Sequence, residues 1–190
     1  MTRADAGQLG EDDVIAILLT QHARVTELFA DIQTATGTHK QQAFDELRAL
    51  LAAHETGEEM ILRPVSKDLA GPGVADARNK EEAEATRVLA DLEKMDAGSA
   101  EFDRTLAEFQ AAVTAHAAHE ESEEFPRVLA NCPEDQRARM GKALRAAEHL
   151  APTHAHPGAA GSPAAQWAVG PFASLVDRVR DVVKGATKRG

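Results

Sequence analysis

The chain has no tyrosine, one tryptophan, one cysteine and six phenylalanines among 190 residues. Each scarcity removes a class of explanation. Without tyrosine, no phenolate can ligate a metal. A lone Cys132 permits neither an internal disulfide framework nor a thiolate metal site. Lysine and arginine total 21 against 31 aspartates and glutamates, so the net charge is −10. Such a balance disfavours nucleic acid as a partner. No apolar run is long enough to span a membrane. The polar, acidic stretch Met1–Asp13 does not read as a secretory signal, so a cytoplasmic protein is expected.

What is present is a 43% apolar content, enough for a core, in Ala-rich and Leu-rich stretches. Together with the shortage of aromatics, this predicts an all-α chain of one domain with a tail. The organising feature is a doubled motif. His54-Glu55-Thr56-Gly57-Glu58-Glu59 and His116-Ala117-Ala118-His119-Glu120-Glu121 both read H-x-x-x-E-E, and Pro64 and Pro126 follow at the same distance. Matched positions are offset by 62 residues. Residues four apart share a helix face, so each copy stacks one imidazole over one carboxylate.

These pairs fall within apolar stripes. Phe44, Leu47 and Leu51 precede His54, and Ile61 follows Glu58; Phe102, Leu106, Phe109 and Val113 precede His116. Both pairs should therefore face the core. A buried carboxylate is costly without a positive partner. Lysine and arginine are absent from these stripes, so a metal cation is the expected partner.

In chain order, residues 1–10 read as a disordered arm. A first helix is expected over about Glu11 to Gln33, with the stripe Val14, Leu18, Val25, Phe29, Ile32 and with His22 filling its gap. Gly37 breaks it, and Thr38 with Gln41 resembles a capping box for the second helix. That helix is expected to end before Pro64. A third runs from about Val74 to Met95, its stripe Glu82, Ala85, Leu89 and Leu92, and a fourth from about Ala100 to Pro126. Asp96 to Ser99 should cap the fourth.

Helix one also maps on helix three at an offset of 60, which pairs Phe29 with Leu89, Ile32 with Leu92 and His22 with Glu82. Two helical hairpins make an up-down-up-down four-helix bundle over residues 11–130, with extra C-terminal helices. An additional helix occupies 131–150, with Met140, Leu144, Ala147 and Leu150 on its apolar side. Residues 151–190 form a Pro/Gly-rich linker and a basic amphipathic segment. That segment offers a surface for a protein partner or self-association; a membrane contact is the lesser reading.

The bundle would bring His22, His54, Glu58, Glu82, His116 and Glu120 to one level. Nitrogen and carboxylate donors on facing helices suit non-haem iron or manganese. Two equivalent glutamates can bridge two ions, with His22 and His54 on one and Glu82 and His116 on the other. Glu55, Glu59, Glu121, Glu123 and Glu124 read mainly as a solvated charged face, with Glu59 and Glu121 also placed to orient metal-bound histidines. His119 is expected to be exposed and His39 uninvolved. His154 and His156 fall in the linker, and Cys132 reads as inert.

His22, the two H-x-x-x-E-E motifs and their trailing prolines resemble the hemerythrin family, in particular bacterial hemerythrin-like proteins with the HHE cation-binding domain. The resemblance covers residues 11–130. It implies a four-helix bundle with two non-haem iron ions, oxo- or hydroxo-bridged, that bind or react with dioxygen, nitric oxide or peroxide. One departure stands out. The family usually has a histidine on the third helix, and this chain has none between His54 and His116. Glu82 takes that place, with Glu81 the next candidate. A carboxylate there should favour the ferric state, which opens one alternative, a peroxide-decomposing di-iron enzyme; the apolar face of the tail after Pro157 opens another, an iron or redox sensor acting through a partner.

Overall fold

The computed structural model describes residues 7–70 and 72–148. Residues 7–13 make turns, with Leu9 half-buried against the core. Helix α1 spans Val14–Thr34. Asp13 caps it, its Oδ1 accepting from the Ile15 amide at 3.0 Å, which satisfies one of the donors a helix start leaves unpaired. Gly37, at φ 57°, makes the reversal into α2, Gly37–Gly57. The expected Thr38–Gln41 capping box does not form: the helix begins before Thr38, and Thr36 at the cap makes no side-chain bond.

The second helix does not stop before Pro64. A π turn, Glu58–Leu62, joins α2 to α3, Arg63–Ala70. Proline lacks an N–H and its ring crowds the carbonyl four residues back. A widened turn just upstream accommodates both, with the Arg63 N–H bonding the Glu58 carbonyl. The second motif repeats the device. Helix α5, Ala100–His119, passes through a π turn at Glu120–Glu124 into α6, Phe125–Asn131, and the Phe125 N–H bonds the Glu120 carbonyl. Widened turns of this kind recur at functional sites. Between these rods lies α4, Pro72–Leu92. Ser99 caps α5, accepting from the Phe102 amide at 3.1 Å.

α1 packs on α2, α3 on α4, α4 on α5, and α1 on α5. This closes a ring of four rods in up-down-up-down order, with no strand among the described residues. A further helix, α7, Glu134–Glu148, lies over α1, α2 and the first π turn. Two glycines permit the approach. A Cβ on Gly57 would stand 2.0 Å from Leu144 Cδ1, and one on Gly141 would stand 1.8 Å from the Asp12 carbonyl oxygen. Arg137 pins α7 to the α1 cap through Asp13 Oδ2, 2.7 Å away. Met140 and Leu144 are buried as expected; Leu150, the linker and the amphipathic segment lie outside the described residues.

Two apolar clusters fill the bundle. One contains Ile15, Leu18, Ile61, Leu62, Phe125 and Leu144; the other contains Phe29, Ile32, Phe44, Leu47, Phe102 and Phe109. The histidines and glutamates form a polar layer between them. No described helix is long and apolar enough to cross a membrane.

Candidate metal centre

All six expected residues meet in that layer. His22 comes from α1, His54 from the end of α2, Glu82 from α4 and His116 from α5, while Glu58 and Glu120 open the two π turns. Their donor atoms form two overlapping groups. One is His22, His54, Glu58 and Glu120; the other is Glu58, Glu82, His116 and Glu120. Within each, the atoms lie within 4.8 Å of one another. Glu58 and Glu120 belong to both.

Each ring is held from behind. His22 Nδ1 donates to Glu121 at 2.9 Å, His54 Nδ1 to the Gln21 amide oxygen at 2.7 Å, and His116 Nδ1 to Glu81 at 3.0 Å. An oxygen acceptor fixes the hydrogen on Nδ1 and turns Nε2 inward, the arrangement that orients metal-binding imidazoles. His22 Nε2 lies 3.4 Å from Glu120, His54 Nε2 3.6 Å from Glu58 and His116 Nε2 3.2 Å from Glu120. Glu82 thus takes the inward place on the third rod, and Glu81 stands behind His116. Gln21 and Glu81 are matched by the same offset of 60 that pairs His22 with Glu82.

One sequence expectation needs correcting. The carboxylates are not without an internal cation. Arg63, 5% exposed, reaches the layer from the first residue beyond the π turn. Its guanidinium is in direct contact with Glu82, donates to Glu124 at 2.8 Å, and lies 3.5 Å from both Glu58 and Glu120. Helical phase hid it. Five residues on from Glu58, an unbroken α-helix would turn Arg63 well away from the stripe; the extra residue in the π turn brings it back over Glu58. Glu124 joins it. It reads as part of a solvated acidic run, but it is fully buried against Arg63. Glu55 also leaves the solvated face, accepting from the Thr86 hydroxyl at 2.8 Å. His119 is half-exposed and bonds Glu81.

Charge is distributed unevenly. Burial pushes the His54 pKa down to about 3, with His22 adding to the effect. Burial also works against charge on His116, but Glu120, Glu82 and Glu81 outweigh it and raise its pKa to about 9. Burial lifts Glu82 to about 8 despite Arg63 and His116. Burial and Glu120 push Glu58 well up, whereas His116 and His22 overcome burial to hold Glu120 well down. The four carboxylates around Arg63 outweigh its burial and keep it charged.

Several inward atoms make no hydrogen bond although they are buried: His22 Nε2, Glu58 Oε1, Glu82 Oε2 and both oxygens of Glu120. Buried polar atoms without partners are costly. Nitrogen and carboxylate oxygen are the donors that iron-class cations accept, so the residues fit such an ion. A cavity of about 330 Å³ adjoins the layer, reaching from His22, His54 and His116 to the apolar side chains of Phe29, Leu89 and Phe109.

By fold and site this is a helical bundle with a candidate His/Glu cation centre. The hemerythrin HHE cation-binding domain model matches residues 13–128, and the chain belongs to that family. It is similar to an uncharacterised hemerythrin-like protein of Schizosaccharomyces pombe, 26% identical over 157 residues that cover 81% of this chain and 75% of the relative. It is also similar to a protein of Nostoc sp. named DNA nickase, 25% identical over 146 residues; these cover 76% of this chain but 41% of that protein. No solved structure gives a significant match.

Proposed function

We propose that the layer is a non-haem iron centre that binds or reacts with dioxygen, nitric oxide or peroxide. Glu58 and Glu120 would bridge two cation positions, the first completed by His22 and His54, the second by Glu82 and His116. The observation that carries this reading is the convergence of three Nε2 atoms and three carboxylates in two overlapping groups. Iron in such a site supplies redox chemistry and open coordination positions for a small ligand. The chain's own part is to hold and shield. Gln21, Glu81 and Glu121 fix the three rings, and the adjoining cavity, with Phe29, Leu89 and Phe109 on its wall, gives a small uncharged molecule a path to the layer.

The test is metal content per chain after anaerobic iron loading and desalting, with an absorption spectrum before and after air. Retained iron and a new charge-transfer band on oxidation are expected, and His54→Ala should lose iron. Full iron content in His54→Ala would overturn the ligand assignment.

Peroxide decomposition is a second reading, favoured by Glu82 facing the centre where its repeat partner is His22. Iron-loaded protein should then consume peroxide faster than a Glu82→His variant. A rate no higher than that of free iron would remove it.

A further inference from the structure

The internal repeat pairs Arg63 with Phe125, Glu82 with His22 and Leu62 with Glu124. The packing follows the same pairing. Phe125 stacks on His22, ring centroids 5.7 Å apart and planes 15° from parallel. In the other half the same slot delivers Arg63 onto Glu82. The two halves therefore differ by a linked exchange: an aromatic ring over an imidazole in one, a guanidinium against a carboxylate in the other. Glu124 completes it. It stands where the repeat has Leu62, is fully buried, and binds the opposite edge of the guanidinium.

We propose that the Arg63 guanidinium occupies the second cation position, so that the two donor groups are unequal. The first takes a metal ion outright. The second takes one only when Arg63 leaves Glu82 and is held by Glu124 alone. This rests on the metal-centre reading above. Three observations carry it. Glu82, which belongs to the second group alone, is in direct contact with Arg63. The shared carboxylates Glu58 and Glu120 each lie 3.5 Å from the same nitrogen of Arg63, where a cation at the second position would draw on them too. Glu124, bound to the other nitrogen, provides a seat for the displaced group. Arginine does not give up its proton in a protein, so it cannot yield to a metal by becoming neutral; it has to move.

The proposal separates one strong and one weak equivalent of metal. Metal-free full-length protein is titrated anaerobically with ferrous iron in a calorimeter, and retained iron is measured after desalting. Wild type should retain one ion per chain, with a second binding at least tenfold more weakly. The double variant Arg63→Phe with Glu124→Leu, which restores the repeat residues and removes both buried charges together, should retain two. Should that variant not fold, Arg63→Gln keeps hydrogen bonding without the charge and should tighten the second ion at least tenfold. Glu124→Leu alone should act oppositely, weakening the second ion by removing the seat. Two equally tight ions in wild type, or a second ion indifferent to these changes, would overturn the role of Arg63 and leave the metal centre standing. No retained ion in wild type would overturn the metal centre itself.

Discussion

In one half of the centre His22 lies beneath Phe125, with His54 neutral beside it; in the other, Glu82 lies against Arg63, with His116 charged beside it. Both halves are built from the same motif, proline and π turn. The first pairs the neutral His54 with His22, whose pKa Glu120 and Glu121 raise against its burial, and is closed behind by α7, whose Leu144 sits against Gly57. The second has two positive groups of its own, and the repeat partner of Gly57, His119, is half-exposed at the surface. A repeated motif thus fixes where ligands stand but leaves open how their charge is balanced. That balance depends on neighbours outside the motif.

The difference between the two halves rests most heavily on Arg63. Arg63→Leu leaves four buried carboxylates without their shared partner and should destabilise the metal-free protein by about 3–5 kcal/mol in urea unfolding. The matching change Phe125→Leu removes only apolar volume and should lose about 1–2 kcal/mol. Equal losses would show that Arg63 serves as packing alone. Next in size is the cover over the first half. Gly141→Ala drives a methyl into the Asp12 carbonyl and should lower stability by about 1–3 kcal/mol in a thermal melt. An unchanged melting temperature would mean that α7 is not held where the structure places it.

The groups behind the rings sharpen the contrast. Gln21→Leu frees His54 and should weaken the tight iron about 10–100-fold. Glu81→Leu frees His116 and should leave that ion within about twofold, since ring-orienting effects act through the ring they hold. Equal effects on retained iron would contradict separate halves. Smallest is the titration of the metal-free protein by NMR, in which His116 should titrate near 9 and His54 should stay neutral down to acid pH. The linked stability has opposite signs. Unfolded His54 gains a proton below about 6.5 while the folded ring does not until about 3, so stability falls as pH drops through that window. Folded His116 stays protonated up to about 9, so its contribution is full below about 6.5 and lost as pH rises to 9.

Much of this is legible in the order of residues. The stripes of α1, α2 and α5 predict the buried faces, and the spacing of His54–Glu58 and His116–Glu120 predicts the inward pairs. The offset of 60 picks Glu82 over Glu81, because only one residue of a helical run can share the phase of His22. The groups behind the rings were harder to read. Gln21 and Glu81 sit one residue before inward positions, and neighbours on a helix point about 100° apart, so only the facing rod decides what they touch.

The order of residues sets the helices, the apolar stripes and the doubled donor pattern, because all of these are local periodicities. It also carried both prolines, and with them the cause of the π turns, though not their consequence. Arg63 and Glu124 join the centre only through packing. Each π turn rephases its helix, and the fourfold closure of the bundle then sets a guanidinium from the first helical hairpin against carboxylates from the second. Periodicity describes one helix at a time; a charge balance shared across four helices exists only once they are packed.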